Sequence, residues 1–308
     1  MIKYTTIATI LKMFSISSLT RRIYRLLGNT LGQRRRIQRG LKRDYVNRVK
    51  RLLELCEKYC AIQAGDRLLE IGTGWVHWES TIIRLFYDVE VTLFDVWDNR
   101  NLEAYKYYLK QLGEIINKEF DIDPLLHERV QRLLQTLIKA DSFDDIYKLL
   151  GFRYVINPSG TLKQFQDESF AVIFSFNVLE HVERGILPEF IQDFHRLLKP
   201  GGYSIQQIDP GDHLAYYVNN VSRKNYLRYS DRVWERYFEN KVQYFNRVQR
   251  PEWLDFFRKA GFELLEEELK LTDISTIKVD KSYENLDEQD LQCVAMTVVH
   301  RKSHQPMP

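Results

Sequence analysis

Residues 67–75, Arg67-Leu68-Leu69-Glu70-Ile71-Gly72-Thr73-Gly74-Trp75, read with Val89–Val96 (VEVTLFDV), decide the fold class of this chain. Arg67–Ile71 is a short apolar strand that runs into a Gly-rich turn. Trp78–Tyr87 has helical spacing, and Val89–Val96 is a second apolar strand. Strand, turn, helix and strand make a parallel pair with a right-handed crossover. Gly72 and Gly74 let a ligand approach the backbone and leave N–H donors at a helix start. Asp95 closes the second strand, 25 residues after Glu70. A carboxylate there can accept both hydroxyls of a ribose. Each piece also has an ordinary reading: a tight turn for the glycines, an N-cap for Asp95.

The pattern continues downstream. Phe152–Asn157 is a third strand, and Phe170–Phe176 (FAVIFSF) a fourth whose unbroken apolar run suits burial on both faces. Leu187–Leu198 is helical and stops at Lys199-Pro200-Gly201-Gly202. Tyr203–Ile208 is a fifth strand, Glu252–Ala260 a helix closed by Gly261. Phe262–Leu271 and Gln292–His300 are the last two strands. The expectation is an α/β doubly wound fold with a mostly parallel, seven-stranded sheet. Residues 101–150 keep helical periodicity too long for one connection and read as a helical insertion. Residues 212–250 are irregular and aromatic-rich. With the insertion they are expected to roof the site, or else to form a small satellite core.

Upstream, residues 1–59 read as a basic helical arm before a domain spanning 60–308. Residues 1–60 hold 15 Lys and Arg against 3 Asp and Glu, whereas the other 248 hold 30 against 39. Arg34, Arg35, Arg36, Arg39, Lys42 and Arg43 crowd one stretch. Such a face either packs on the acidic remainder or attracts an anionic surface, a membrane or a partner. Three cysteines without close-set pairs argue against a disulfide framework. No window approaches about 18 uncharged apolar residues, so no membrane span is expected. Ile2–Phe14 is broken by Lys3 and Lys12, unlike a secretory signal. The expected location is the cytoplasm, with peripheral membrane contact through the arm left open.

A dinucleotide fingerprint wants a third glycine where His77 stands. Glu70 would repel a pyrophosphate but suits a cationic or zwitterionic ligand. Nicotinamide chemistry is thus disfavoured. Leu69-Glu70-Ile71-Gly72-Thr73-Gly74 resembles the first motif of class I S-adenosylmethionine-dependent methyltransferases. Asp95 stands where that family places its ribose-binding acid. Asp167–Ser175 with Val178-Leu179-Glu180-His181-Val182 is similar to its fourth-strand region, and Leu197–Gly202 to its turn before the fifth strand. The resemblance covers about residues 60–210, in order, and the last strands fit the family's closing hairpin. It implies S-adenosylmethionine as cofactor, held by Glu70, Gly72, Thr73 and Gly74, with Asp95 on the ribose. It also implies a polar group for the adenine, for which this chain offers Asn157, and further cofactor neighbours at Ser175 and Asn177.

Methyl transfer to oxygen or nitrogen needs a base only if the acceptor must lose a proton. His181, after the fourth strand, and His213, after the fifth, are the candidates, with Asp209 and Asp212 placed to orient His213. The Leu-Glu-His run recurs across the family whatever the substrate, so His213 is favoured. Some quinone O-methyltransferases resemble this region and hold a divalent ion with two glutamates and a histidine. Here Asn177 replaces the first glutamate, so no metal is expected. Asn225–Asp231 with Tyr244–Arg247 loosely resembles a bacterial subgroup that modifies surface polysaccharides or other small molecules. The expected acceptor is therefore a hydroxyl of a saccharide or other metabolite. Alternatives are a non-catalytic binding protein on the same fold, or nucleic-acid methylation using the arm. The latter is disfavoured because Ser175-Phe176-Asn177-Val178 is not the Asp/Asn-Pro-Pro-aromatic type used on exocyclic amines.

Overall fold

The computed structural model describes residues 2–28 and 32–303; the Arg36 side chain of the basic cluster lies outside the described set. Four helices come first: α1 (Ile2–Phe14), α2 (Ser18–Leu27), α3 (Gln33–Arg39) and α4 (Arg43–Lys58). Ser17 starts α2 by a capping box with Thr20. Then follow β1 (Arg67–Ile71), α5 (Trp78–Phe86), β2 (Glu90–Asp95), α6 (Leu102–Glu119), α7 (Pro124–Lys139), α8 (Phe143–Leu150), β3 (Phe152–Ile156) and β4 (Phe170–Phe176). The chain continues through α9 (Leu187–Leu197), β5 (Leu198–Ile208), α10 (Asp231–Tyr237), α11 (Arg250–Lys259), β6 (Phe262–Leu271), α12 (Glu288–Gln292) and β7 (Cys293–Lys302).

The seven strands lie in the order β3-β2-β1-β4-β5-β7-β6. Strands β1 to β5 are parallel, and β7 runs antiparallel to both β5 and β6. This is the mostly parallel, seven-stranded sheet that the apolar runs predict. Winding reverses at β1, with β2 and β3 on one side and β4 and β5 on the other. The crevice over the ends of β1 and β4 is therefore the switch point at which ligands bind. One detail differs from the expectation. Lys199–Gly202 is a bulge inside β5, where pairing jumps from Phe170–Leu198 to Val172–Tyr203.

Alternation along each strand feeds two cores. Leu68 packs with α4 to α8, while Leu69 and Ile71 pack with α9 and α11. The insertion belongs to the first core. Tyr105, Tyr108, Leu109, Leu112 and Ile116 of α6 are buried there, with Val130, Leu134 and Leu137 of α7. It does not roof the site as expected, because its apolar stripe is consumed as a structural layer. A third core joins Tyr4, Ala8 and Leu11 of α1 to Tyr226, Trp234, Phe238 and Phe245. Much of the aromatic-rich segment thus forms a satellite core, closed by the arm. Part of the arm's charge does meet the acidic remainder: Arg48 pairs with Glu79, and Arg51 and Lys58 pair with Glu266.

Candidate functional site

The first loop is shaped by backbone geometry. Gly72 has φ +70° and Gly74 φ +65°, values that L side chains rarely adopt. A Cβ on Gly72 would lie 2.4 Å from Val178 Cγ2, so the loops after β1 and β4 touch there. Over Gly74 the space is open: the nearest atom to such a Cβ is 4.0 Å away. The Gly74 N–H donates to Asp95 Oδ2 at 3.0 Å, and the Val96 N–H to Oδ1 at 2.7 Å. Burial raises the Asp95 carboxyl above its usual value, against these donors.

Beneath the loop, Glu70 is buried and accepts hydrogen bonds from the Ser80 and Thr73 hydroxyls. Burial, then the nearby Glu79, pushes its pKa up. Glu70 therefore orders the loop from below. The Thr73 hydroxyl also meets His77 Nδ1 at 2.8 Å, and His77 Nε2 meets the Tyr147 hydroxyl at 2.8 Å. One assignment satisfies the whole chain: Tyr147 donates to Nε2, Nδ1–H donates to Thr73, and Thr73 donates to Glu70. His77 has φ +42° and no exposed surface. Burial lowers its pKa to about 3, so the ring is neutral. Its ring packs on Phe143, Tyr147 and Tyr154. The residue that breaks the dinucleotide pattern is thus a clamp between the loop and α8.

Three expected cofactor neighbours behave differently. Ser175 is fully buried in β4 and donates to Gln206 Oε1 at 2.5 Å, so its hydroxyl serves the sheet. The Asn157 backbone N–H reaches the Asp95 carbonyl at 3.0 Å, beside the site. Its side chain, however, is spent within its own turn, donating to Thr161 O and Gln164 and accepting from Ser159. Asn157 thus has no spare amide for an adenine. Asn177 is exposed at the end of β4 with φ +56°.

A cavity of about 260 Å³ opens beside Gly74, Trp75, Trp97 and Asn99. Its far wall is Arg21, Tyr24 and Arg25 of α2 with Lys241, Val242 and Gln243. The Arg25 guanidinium lies 4.0 Å over the Trp97 ring. The arm, not the insertion, closes this side. Only the spacing of Arg21, Tyr24 and Arg25 on one face of α2 carries a hint of it.

Past the ends of β4 and β5 lies a second group. Glu180 is buried with neither oxygen hydrogen-bonded, and burial followed by Asp209 raises its pKa. His181 Nδ1 is 2.6 Å from the Tyr244 carbonyl, so this nitrogen carries the proton and Nε2 a lone pair. His213 stacks on Phe245 at 4.8 Å and meets the His181 ring edge-on at 4.9 Å. Its Nε2 is buried without a hydrogen bond. Burial, then His181, lowers its pKa to about 4, which keeps it neutral.

The two aspartates do not orient His213 as expected. Asp212 accepts from the Tyr4 hydroxyl at 2.6 Å and caps its own 3-10 helix through Leu214 and Ala215. Asp209 accepts from Arg223 and Tyr216, and its Oδ2 stays 3.8 Å from His213 Nε2. Asp212 is drawn away by Tyr4, 208 positions upstream, and Asp209 by Tyr216 and Arg223, 7 and 14 positions downstream. The argument against a metal is also altered. It rested on Asn177, yet the fold brings His213 to Glu180 and His181, with their donor atoms within 4.8 Å of one another. Two imidazoles and a carboxylate can hold a divalent ion or accept a proton.

Residues 37–267 match the family model of a methyltransferase domain, three quarters of the chain. No curated protein matches the chain. Among solved structures, one from Galdieria sulphuraria described as a sarcosine dimethylglycine methyltransferase aligns with TM-score 0.50 at 11% identity, covering 87% of this chain and 92% of that one. A methyltransferase from Methanosarcina mazei aligns with TM-score 0.47 at 16% identity, covering 80% and 97%. A phosphoethanolamine N-methyltransferase from Haemonchus contortus, solved with S-adenosylmethionine, aligns with TM-score 0.45 at 13% identity, covering 83% and 53%. The site fits that cofactor: an open glycine cradle beside the Asp95 carboxylate suits a positively charged ligand that carries a ribose. The chain belongs to the class I S-adenosylmethionine-dependent methyltransferases, and S-adenosylmethionine is its cofactor.

Proposed function

We propose that this enzyme methylates a hydroxyl of a saccharide or other small metabolite, with His213 Nε2 as proton acceptor. The supporting observation is an imidazole nitrogen, buried, neutral and without a partner, past the end of β5 and beside the loop after β4. Bound S-adenosylmethionine supplies an electrophilic methyl group on a sulfonium. The chain's residues do the rest. The Gly72–Gly74 loop and Asp95 would hold the cofactor. Phe245 and His181 fix the His213 ring. The hydroxyl proton would pass to His213 Nε2 as the acceptor oxygen takes the methyl group that bound S-adenosylmethionine would supply, with S-adenosylhomocysteine as the leaving group. Exposed Tyr216 and Tyr237 offer flat apolar faces of the kind that suit sugar rings.

The test is a panel of sugars and hydroxylated metabolites with S-adenosylmethionine, read as S-adenosylhomocysteine release. An accepted hydroxyl compound whose turnover is lost in His213→Ala supports the reading. Turnover on amines alone, unaffected by His213→Ala, overturns it.

A further inference from the structure

Helix α2 is amphipathic the wrong way round for a helix lying on a soluble core. None of its ten residues is buried. Arg21, Tyr24 and Arg25 line the cavity wall. The face turned away from them carries Leu19, Ile23 and Leu27, 65%, 43% and 44% exposed. Spacings of four and four place these three on one stripe, roughly opposite Arg21 and Arg25. Ile16 and Met13, in the link and the end of α1, are 78% and 60% exposed. A folded protein rarely leaves such a run of large apolar side chains in water without a use for it.

The charge around the stripe indicates what covers it. Eleven Lys and Arg precede Asp44 in the sequence, with no Asp or Glu among them. Lys12 and Arg25 have partners. Arg22, Arg34, Arg35 and Arg39 are exposed, and no ion pair among the described residues engages them. Arg22 shares the helix with the apolar stripe, and Arg34, Arg35 and Arg39 follow on the next helix; exposed apolar side chains combined with unneutralised cations match the interface of an anionic bilayer, with acyl chains below and phosphates at the rim. A protein surface would need acids facing the rim and an apolar patch at its centre. Among the described residues no helix is long and apolar enough to cross a membrane, so the contact is peripheral.

We propose that the outward face of α2 docks on an anionic phospholipid bilayer, with Leu19, Ile23 and Leu27 inserted and Arg22, Arg34, Arg35 and Arg39 on the phosphates. The opposite face of the same helix remains the wall of the cofactor-side cavity. Docking and methyl transfer are separate claims, because the inserted residues do not line that cavity.

The test is co-sedimentation of the full chain with vesicles of phosphatidylcholine alone or with phosphatidylglycerol. Binding is expected only to the mixed vesicles, falling as salt rises. Leu19→Ser with Ile23→Ser is expected to weaken it by roughly tenfold or more. S-adenosylhomocysteine affinity of that variant, by calorimetry, is expected to match the parent, which shows that it folds. Equal binding by parent and variant overturns the proposal. So does failure to bind either vesicle, and so does light scattering that reports a dimer abolished by the variant, because a second copy then covers the stripe. Loss of vesicle binding with intact homocysteine-ligand affinity concerns docking alone, and turnover assays judge the methyl-transfer reading independently.

Discussion

The two halves of the site are built differently. The half expected to hold the cofactor is local: Glu70, Gly72, Thr73, Gly74, His77 and Ser80 lie within eleven residues, and Asp95 enters through the neighbouring strand. The half proposed for the acceptor is assembled from far along the chain. Tyr4 bonds Asp212 across 208 positions, and His181 meets the Tyr244 carbonyl across 63. The first half owes its shape to backbone angles that glycine permits. The second owes its shape to buried polar groups whose partners the fold delivers. A local loop tolerates little change in its own residues, whereas an assembled site is damaged from a distance.

Gly72→Ala is the strongest challenge to the local half. The new Cβ meets Val178 at a backbone angle that disfavours it. We expect S-adenosylhomocysteine affinity to fall by roughly 100-fold or more, from combined strain and clash. Calorimetry reads it, and near-parental affinity would mean that the loop does not hold the cofactor. In the assembled half, His213→Ala should lower kcat by about 100-fold, within the usual range for a lost general base, with cofactor affinity unchanged. The same assay with a chelator separates the two uses of the histidines. Unchanged turnover is expected of a proton acceptor, and loss restored by zinc would assign the cluster to an ion.

Asp95→Ala removes the acceptor for Gly74 and for a ribose. Affinity should drop about 10- to 100-fold, the scale of one or two hydrogen bonds to a charged group. His77 gives a pH signature to the local half. Its folded pKa, about 3, lies below the unfolded value of 6.5. The stability it contributes is therefore complete above 6.5 and lost as pH falls from there toward 3. Between neutral pH and pH 5, the stability difference between the parent and His77→Gln should narrow by about 2 kcal/mol, measured by urea unfolding. A constant difference would place the ring in water. Tyr4→Phe is the mildest change. It removes one donor from buried Asp212 and should cost about 1–2 kcal/mol of stability while leaving cofactor affinity untouched.

Much of the fold was legible in the residues. The boundaries of β1, β4 and β6 fall where their apolar runs predict, and residues 101–150 are helical as their periodicity requires. The turn at Gly72–Gly74 and the strand-end position of Asp95 were equally legible, because a positive φ and a strand end are properties of short segments. Ser175 was not, since only the register that sets β5 beside β4 shows Gln206 taking its hydroxyl. The engagement of the Asn157 amide within its own turn was not legible for a related reason, because Thr161 and Gln164 reach it only once the turn is folded. Asp209 and Asp212 stand beside His213 in sequence, yet sequence adjacency does not place two side chains on one ligand.

The sequence by itself determined the seven strands, their mostly parallel sheet and the glycine loop after β1. These follow from hydrophobic period, strand length and glycine placement, which act over a few residues. Only the tertiary structure decided that the arm's α2 walls the cavity, that the insertion is a core layer, and that Glu180, His181 and His213 converge. Those outcomes depend on which distant surfaces bury one another, and burying apolar area is non-directional. No short stretch of chain encodes its partner.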